Sequence, residues 1–205
     1  MKSLALAAVA LVATANGSSR AADQPHRPQA GKRASGQAGK RECDVALSTV
    51  KAFTARRINK IPWVVADSPI PREEGSASDG GEIVIDQWGG ERPANGLVRA
   101  FLAEKPRSAL NSCPEIGAYL DRRGIKHGDE PAERSGVGEG NQPLAFYRAT
   151  IFALSLPIVS SNGDDALVEI SISGGPTAGA GSIHHLHRAA DERWQDVGSV
   201  FTGIG

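Results

Sequence analysis

The chain has 205 residues, a formal net charge of zero and 40% apolar residues, which suits one packed domain and lacks the basic surplus of a nucleic-acid binder. Aromatic residues make up only 5%, which also weighs against a platform for stacking bases or sugars.

The opening MKSLALAAVALVATA has a charged start at Lys2, an apolar run over residues 4–12, and small residues at Ala13 and Ala15 around Thr14. This is the pattern of a secretory signal ending in an A-x-A site, so residues 1–15 are expected to be a signal peptide. The run is shorter than the roughly 20 apolar residues needed to span a bilayer. No cysteine follows it, which disfavours a lipid anchor. The expected destination is therefore exported, periplasmic or extracellular, with no transmembrane span.

Residues 16–40 contain no valine, isoleucine, leucine or aromatic residue. Such a stretch cannot bury enough apolar surface to offset its chain entropy, so residues 16–41 are expected to be a disordered tether. Between Arg20 and Arg41 it carries six basic residues against the single acid Asp23. A solvated spacer is the preferred reading, and attraction to an anionic envelope surface is the alternative.

Residues 42–205 are expected to form one α+β domain, with N-terminal helices packed on a C-terminal antiparallel β-meander. Over residues 42–56, Ala46, Val50 and Phe53 share one helical face, and Glu42 and Asp44 at the start suit the helix dipole. A short strand is expected at 61–65, with Pro62 placing it at a sheet edge or delaying its start. A loop over 68–81 and a strand over 82–88 follow. Residues 94–104 are expected to form a helix with Leu97, Val98, Phe101 and Leu102 as its apolar stripe. Ser112 and Glu115 have capping-box spacing before a helix carrying Ile116, Tyr119 and Leu120, which stops at Gly124.

Residues 126–142 read as a charged, glycine-rich loop. Its carboxylates, Asp129, Glu130, Glu133 and Glu139, lack calcium-loop spacing, and Gly136, Gly138 and Gly140 lack the strand and helix of a phosphate cradle. Strands are then expected at 147–156, 166–173, 182–189 and 193–201, separated by turn residues at Asn162-Gly163, Gly174-Gly175-Pro176 and Asp191-Glu192. In the last strand Trp194 and Val200, six apart, are expected to share a face.

Cys43 and Cys113 are the only cysteines. In an oxidising compartment they are expected to pair, the alternative being two separate buried thiols.

Three of the five histidines fall at His184, His185 and His187. Strand alternation puts His185 and His187 on one face, a spacing that could hold zinc or copper with a third ligand such as Glu169, His127 or His26. The preferred reading places Leu186 inward and leaves His185 and His187 as exposed polar residues on a wet face. No cofactor is implied. A G-x-S-x-G elbow is absent, since Ser182 in GAGSI has no closing glycine. Asp164 and Asp165, beside Asn162-Gly163, read first as turn formers.

From Ser155 onward the chain resembles a group of exported, mostly uncharacterised bacterial domains. The matching residues are Ser155, Pro157 and Ser160 of an S-x-P-x-x-S strand end, Asn162-Gly163, Ala166-Leu167-Val168, Gly179 and Gly181 of a G-x-G, then Leu186, Trp194 and Val197. It departs from them in having Gly174, Gly175, Thr177 and Ala178 where cysteines are common, and Phe201 where tryptophan is common. The resemblance implies export and a C-terminal antiparallel sheet, and it carries over no catalytic residue.

The function expected is a non-enzymatic exported domain that binds an envelope or extracellular ligand. The alternatives are a secreted hydrolase with an unrecognised site, or a metal-binding module using His185 and His187.

Overall fold

A computed structural model describes residues 39–55, 61–68, 88–138, 146–175 and 178–204. The expected signal peptide, most of the tether, the loop after Ser68, all but the last residue of the strand at 82–88, and Glu139 lie outside them.

The first helix, α1, runs Lys40–Ala55, so it begins inside the stretch expected to be a tether. Its buried face carries Cys43, Val45, Ala46 and Val50 at helical spacing. Two threonines on that face, Thr49 and Thr54, donate their hydroxyls to the carbonyls of Val45 and Val50 one turn back, so neither is buried without a partner.

Next come β1 (Trp63–Val65), β2 (Gly89–Gly90) and α2 (Asn95–Ala103), the last with Leu97, Val98 and Phe101 buried as the apolar stripe predicts. The short α3 (Ala109–Ser112) precedes α4 (Pro114–Arg123). The expected capping box does not form. Pro114 begins the helix, so Cys113 is its N-cap, and the Ser112 hydroxyl instead donates to the Ser108 carbonyl at 2.6 Å. Gly124 does end α4, at a left-handed φ of 63°.

The segment expected to be a loop holds β3 (Lys126–His127) and α5 (Asp129–Ser135). Five strands complete the chain: β4 (Thr150–Leu154), β5 (Ile158–Val159), β6 (Asp165–Ser173), β7 (Gly179–Arg188) and β8 (Trp194–Ile204).

The result is an α+β fold on a mixed eight-stranded sheet of order β2-β8-β7-β6-β4-β1-β3, with β5 also pairing β6. The run β4-β6-β7-β8 is antiparallel, as expected of the C-terminal half. The parallel pairs β1–β4 and β1–β3 extend it. They put β1 inside the sheet and not at its edge, because Pro62 precedes the strand and leaves its ladder donors intact.

Helices pack on both sheet faces. On one, α1, α3 and α4 pack Val50, Ala109, Ile116 and Leu120 against Phe152, Leu154, Val168 and Leu186. On the other, α2 covers Leu167, Ile183 and Val200, and α5 sets Ala132 against Val64 and Ala149. The Cys43–Cys113 disulfide joins the first turn of α1 to the start of α4, Cα to Cα 5.4 Å, and is consistent with an oxidising compartment. Among the described residues no helix is long and apolar enough to cross a membrane.

Candidate functional site

Strand β7 carries the chain's histidine cluster through the middle of the antiparallel sheet, and alternation divides it between two covered faces. Leu186 points into the α1 face as expected. His185 is not the solvent-facing residue expected: it is 2% exposed. The expectation assumed one wet face, whereas the backbone around Glu91 lies over this one. The His185 Nδ1 donates to the Glu91 carbonyl at 3.1 Å. Gly198, the partner of His185 on β8, makes room, since a Cβ there would meet the Glu91 backbone and the Trp88 indole nitrogen.

His185 and His187 converge on one carboxylate oxygen. Asp165 Oδ1 lies 3.1 Å from His185 Nε2 and 2.9 Å from His187 Nδ1. Burial pushes the Asp165 carboxyl up, but hydrogen bonds and charge from His187 and His185 outweigh it and leave the group below its ordinary 3.8. The hydrogen bond to Asp165 in turn holds His187 above its ordinary 6.5, against a desolvation effect of opposite sign. Glu91 O and the Asp165 carboxylate both only accept, so the His185 ring is held between two acceptors. That suits a structural clamp and not a base.

Among the described residues, the one group of three Cys, His, Asp or Glu side chains with ligand atoms mutually within 4.8 Å is Cys43, Cys113 and Glu115. Both of its sulfurs belong to the disulfide. The other proposed ligands are dispersed: His127 bonds Asp121 at 3.0 Å, Glu169 is buried on β6, and His26 lies outside the described residues.

The clamp predicts a pH profile. Asp165, being depressed, contributes stability above its ordinary value that is lost as pH falls through the folded one. His187, being raised, contributes below 6.5 and loses this as pH rises through its folded value. Unfolding midpoints in urea at about pH 3, 5.5 and 9 should therefore separate the native chain from Asp165→Asn most at the middle value. An equal gap at all three pH values would show that the clamp is not ionic.

His184, on the opposite face, has different partners. Its Nδ1 lies 2.8 Å from Asp196 Oδ2 on β8, and its Nε2 lies 2.8 Å from the Ser182 hydroxyl. Phe53 of α1 packs edge-on against the ring, centroids 5.8 Å apart. Ser182 and His184 share a face because they are two apart on one strand. Asp196 joins them through a β-bulge, because register shifts between His185 and Leu186 and leaves Val197 as an extra residue on β8. The same bulge overturns the expectation for Trp194 and Val200, which pack on opposite faces of the sheet.

Two clefts lie elsewhere on the domain. One of about 530 Å³ is bounded by Lys40, Arg41 and Asp44 at the start of α1 and by Arg188, Glu192, Arg193 and Trp194 around the β7–β8 turn. Gly163, at φ 85° in the turn before β6, lets the Arg41 guanidinium lie against it. The other, of about 300 Å³, lies past the ends of β1 and β3 and includes Ser68, Asp129 and Tyr147. There Asp129 accepts from the backbone N–H groups of Asp67 and Ser68 at 3.2 and 2.8 Å. The interaction between the two side chains raises the Asp67 carboxyl above its ordinary 3.8 and lowers that of Asp129.

Comparison with protein-family models, curated proteins and solved structures gives no match.

Strand alternation in the sequence pairs His185 with His187 and does not mark Ser182, His184 and Asp196 as a set. Ser-x-His on a predicted strand was an available signal for the first two. Nothing local pointed to Asp196.

Proposed function

We propose that the chain is an exported binding domain that takes an anionic ligand with a flat or apolar body in the cleft between α1 and the β7–β8 turn. The supporting observation is the lining of that cleft: Lys40, Arg41, Arg188 and Arg193 face Asp44 and Glu192 beside the indole of Trp194. Its volume of about 530 Å³ falls among small-molecule sites. Arg188 already pairs with Glu192 at 3.4 Å, and Arg193 with Asp191. Lys40 and Arg41 therefore carry the uncommitted positive charge among the described lining residues, and they sit where the α1 macrodipole is also positive. A phosphate, sulfate or carboxylate would be held by Arg41, while Trp194 takes the apolar body.

Export itself rests on the signal pattern of residues 1–15, with the disulfide as a compatible feature. The ligand is then one met in the envelope or outside the cell.

Phenyl phosphate and phenol titrated against the full chain, read by tryptophan fluorescence, test the cleft. Phenyl phosphate should bind and phenol should not. Arg41→Ala should weaken binding by about tenfold, the loss expected of one charge-assisted hydrogen bond, and added salt should weaken it further. Equal affinity for the two compounds, or an Arg41→Ala variant that binds as well as the native chain, would remove the reading.

A further inference from the structure

We infer that Ser182, His184 and Asp196 form a serine-nucleophile site that hydrolyses carboxylic esters, an activity separate from binding in the basic cleft. Hydrogen-bond logic assigns the roles. Asp196 is a carboxylate and can only accept, so the His184 Nδ1, at 2.8 Å, carries a hydrogen and donates it. The Nε2 lone pair is then turned to Ser182 Oγ at 2.8 Å, and the hydroxyl donates to it. This is the tautomer a general base requires, fixed at both nitrogens and packed edge-on against Phe53. The His184 side chain is 13% exposed and that of Asp196 36%, while Ser182 is half-buried. His185, one residue on, faces two acceptors and cannot take this role.

The surroundings suggest the substrate class. Phe201 is the partner of Ser182 on β8 and therefore shares its face, yet it is 58% exposed. An exposed aromatic ring beside the nucleophile offers an apolar acyl group a surface to lie on. Ser199, the partner of His184 on β8, adds to the same face a hydroxyl able to donate to the oxyanion of the tetrahedral intermediate. The fitting substrate is a small ester with an aromatic or short aliphatic acyl group.

The reaction has two halves. Ser182 Oγ bonds to the carbonyl carbon as its proton passes to His184 Nε2. The bond from that carbon to the leaving oxygen then breaks, and the departing alcohol takes the proton. A water molecule next attacks the acyl-enzyme, giving its proton to His184 and its oxygen to the acyl carbon. The Ser182 ester bond breaks, the carboxylic acid leaves, and Ser182 regains its proton. Ser182 and His184 are the catalytic residues, and Asp196 is a positioning residue that acts through His184.

Two measurements on the full chain test this: turnover of p-nitrophenyl butyrate, and labelling by an alkyl fluorophosphonate located by peptide mass mapping. One phosphonyl group per chain should appear on Ser182. Ser182→Ala should abolish the label and lower turnover at least a hundredfold, a floor well inside the loss of about 10⁶ that removing a triad serine brings. Asp196→Asn should lower kcat by about 10²–10⁴ with KM kept, since the wrong tautomer is then favoured, and Asp196→Glu should recover part of it. Phenyl phosphate at a concentration that fills the cleft should leave turnover unchanged, which separates this site from the cleft. Label on another residue, or turnover unchanged in Ser182→Ala with an unaltered unfolding midpoint, overturns the proposal. Asp196→Glu as poor as Asp196→Asn overturns the positioning role.

Discussion

Reduction of the Cys43–Cys113 bridge should lower the stability of the domain by about 4 kcal/mol, the chain-entropy value for a closed loop of this size. The two residues are 70 apart in sequence, so the unfolded chain regains a large loop when the bond opens. Both cysteines are buried, 5% and 0% exposed, between α1 and α4. The thiols left behind are small and apolar enough to stay packed, so the loss should lie in the unfolded state and not in a damaged core. The Cys43→Ala, Cys113→Ala double variant should therefore unfold at nearly the same guanidinium concentration as the reduced native chain. If reduction moved the midpoint by less than the equivalent of about 1 kcal/mol, the bridge would not be what holds α1 against α4.

That bridge was legible in the sequence, from the expected export of the chain and its count of two cysteines. Leu97, Val98 and Phe101 also declared their helix, and the C-terminal strands declared themselves by length and turn residues. What escaped notice had weak local signals. The helix α5, DEPAERS, buries only Ala132 and Ser135, so its sequence looks solvated. The strand β3 is two residues long and is defined by parallel pairing with β1, some 60 positions earlier. Parallel pairing leaves no mark in local alternation.

The histidines illustrate the same limit. Alternation separates His184 from His185 and His187, but it cannot reveal that His184 and His185 are each roofed on their own face. The cover over His185 comes from Glu91, 94 positions away, and the ring on His184 from Phe53. Asp196 reaches His184 only because Val197 bulges, and a bulge shifts parity without a local signature here. The basic cleft has no local mark either, since Lys40 and Arg41 continue a stretch with the composition of a tether while Arg188, Arg193 and Trp194 lie in strand patterns.

Phe152→Ala should cost about 3–5 kcal/mol, the range for removing a buried phenyl ring. Phe152 is 0% exposed and lies on β4 between Val65 of β1 and Ile172 of β6, where the parallel and antiparallel parts of the sheet meet. Its ring is 5.2 Å from that of Phe53 and 6.1 Å from that of Trp63, centroid to centroid. Neighbours on three elements cannot all collapse into the space, so a cavity remains. The effect should extend further. Phe53 rests on Phe152 and in turn braces His184, so the variant should also lose turnover at Ser182 under conditions where it is still folded. Phe152→Leu keeps the apolar contact and should cost markedly less in both respects. Chemical unfolding of the three chains, with p-nitrophenyl butyrate turnover measured well below each midpoint, checks the two effects separately. If Phe152→Ala lost stability while turnover stayed native, Phe53 would hold its place without the ring beneath it, and the link from core to relay would be broken.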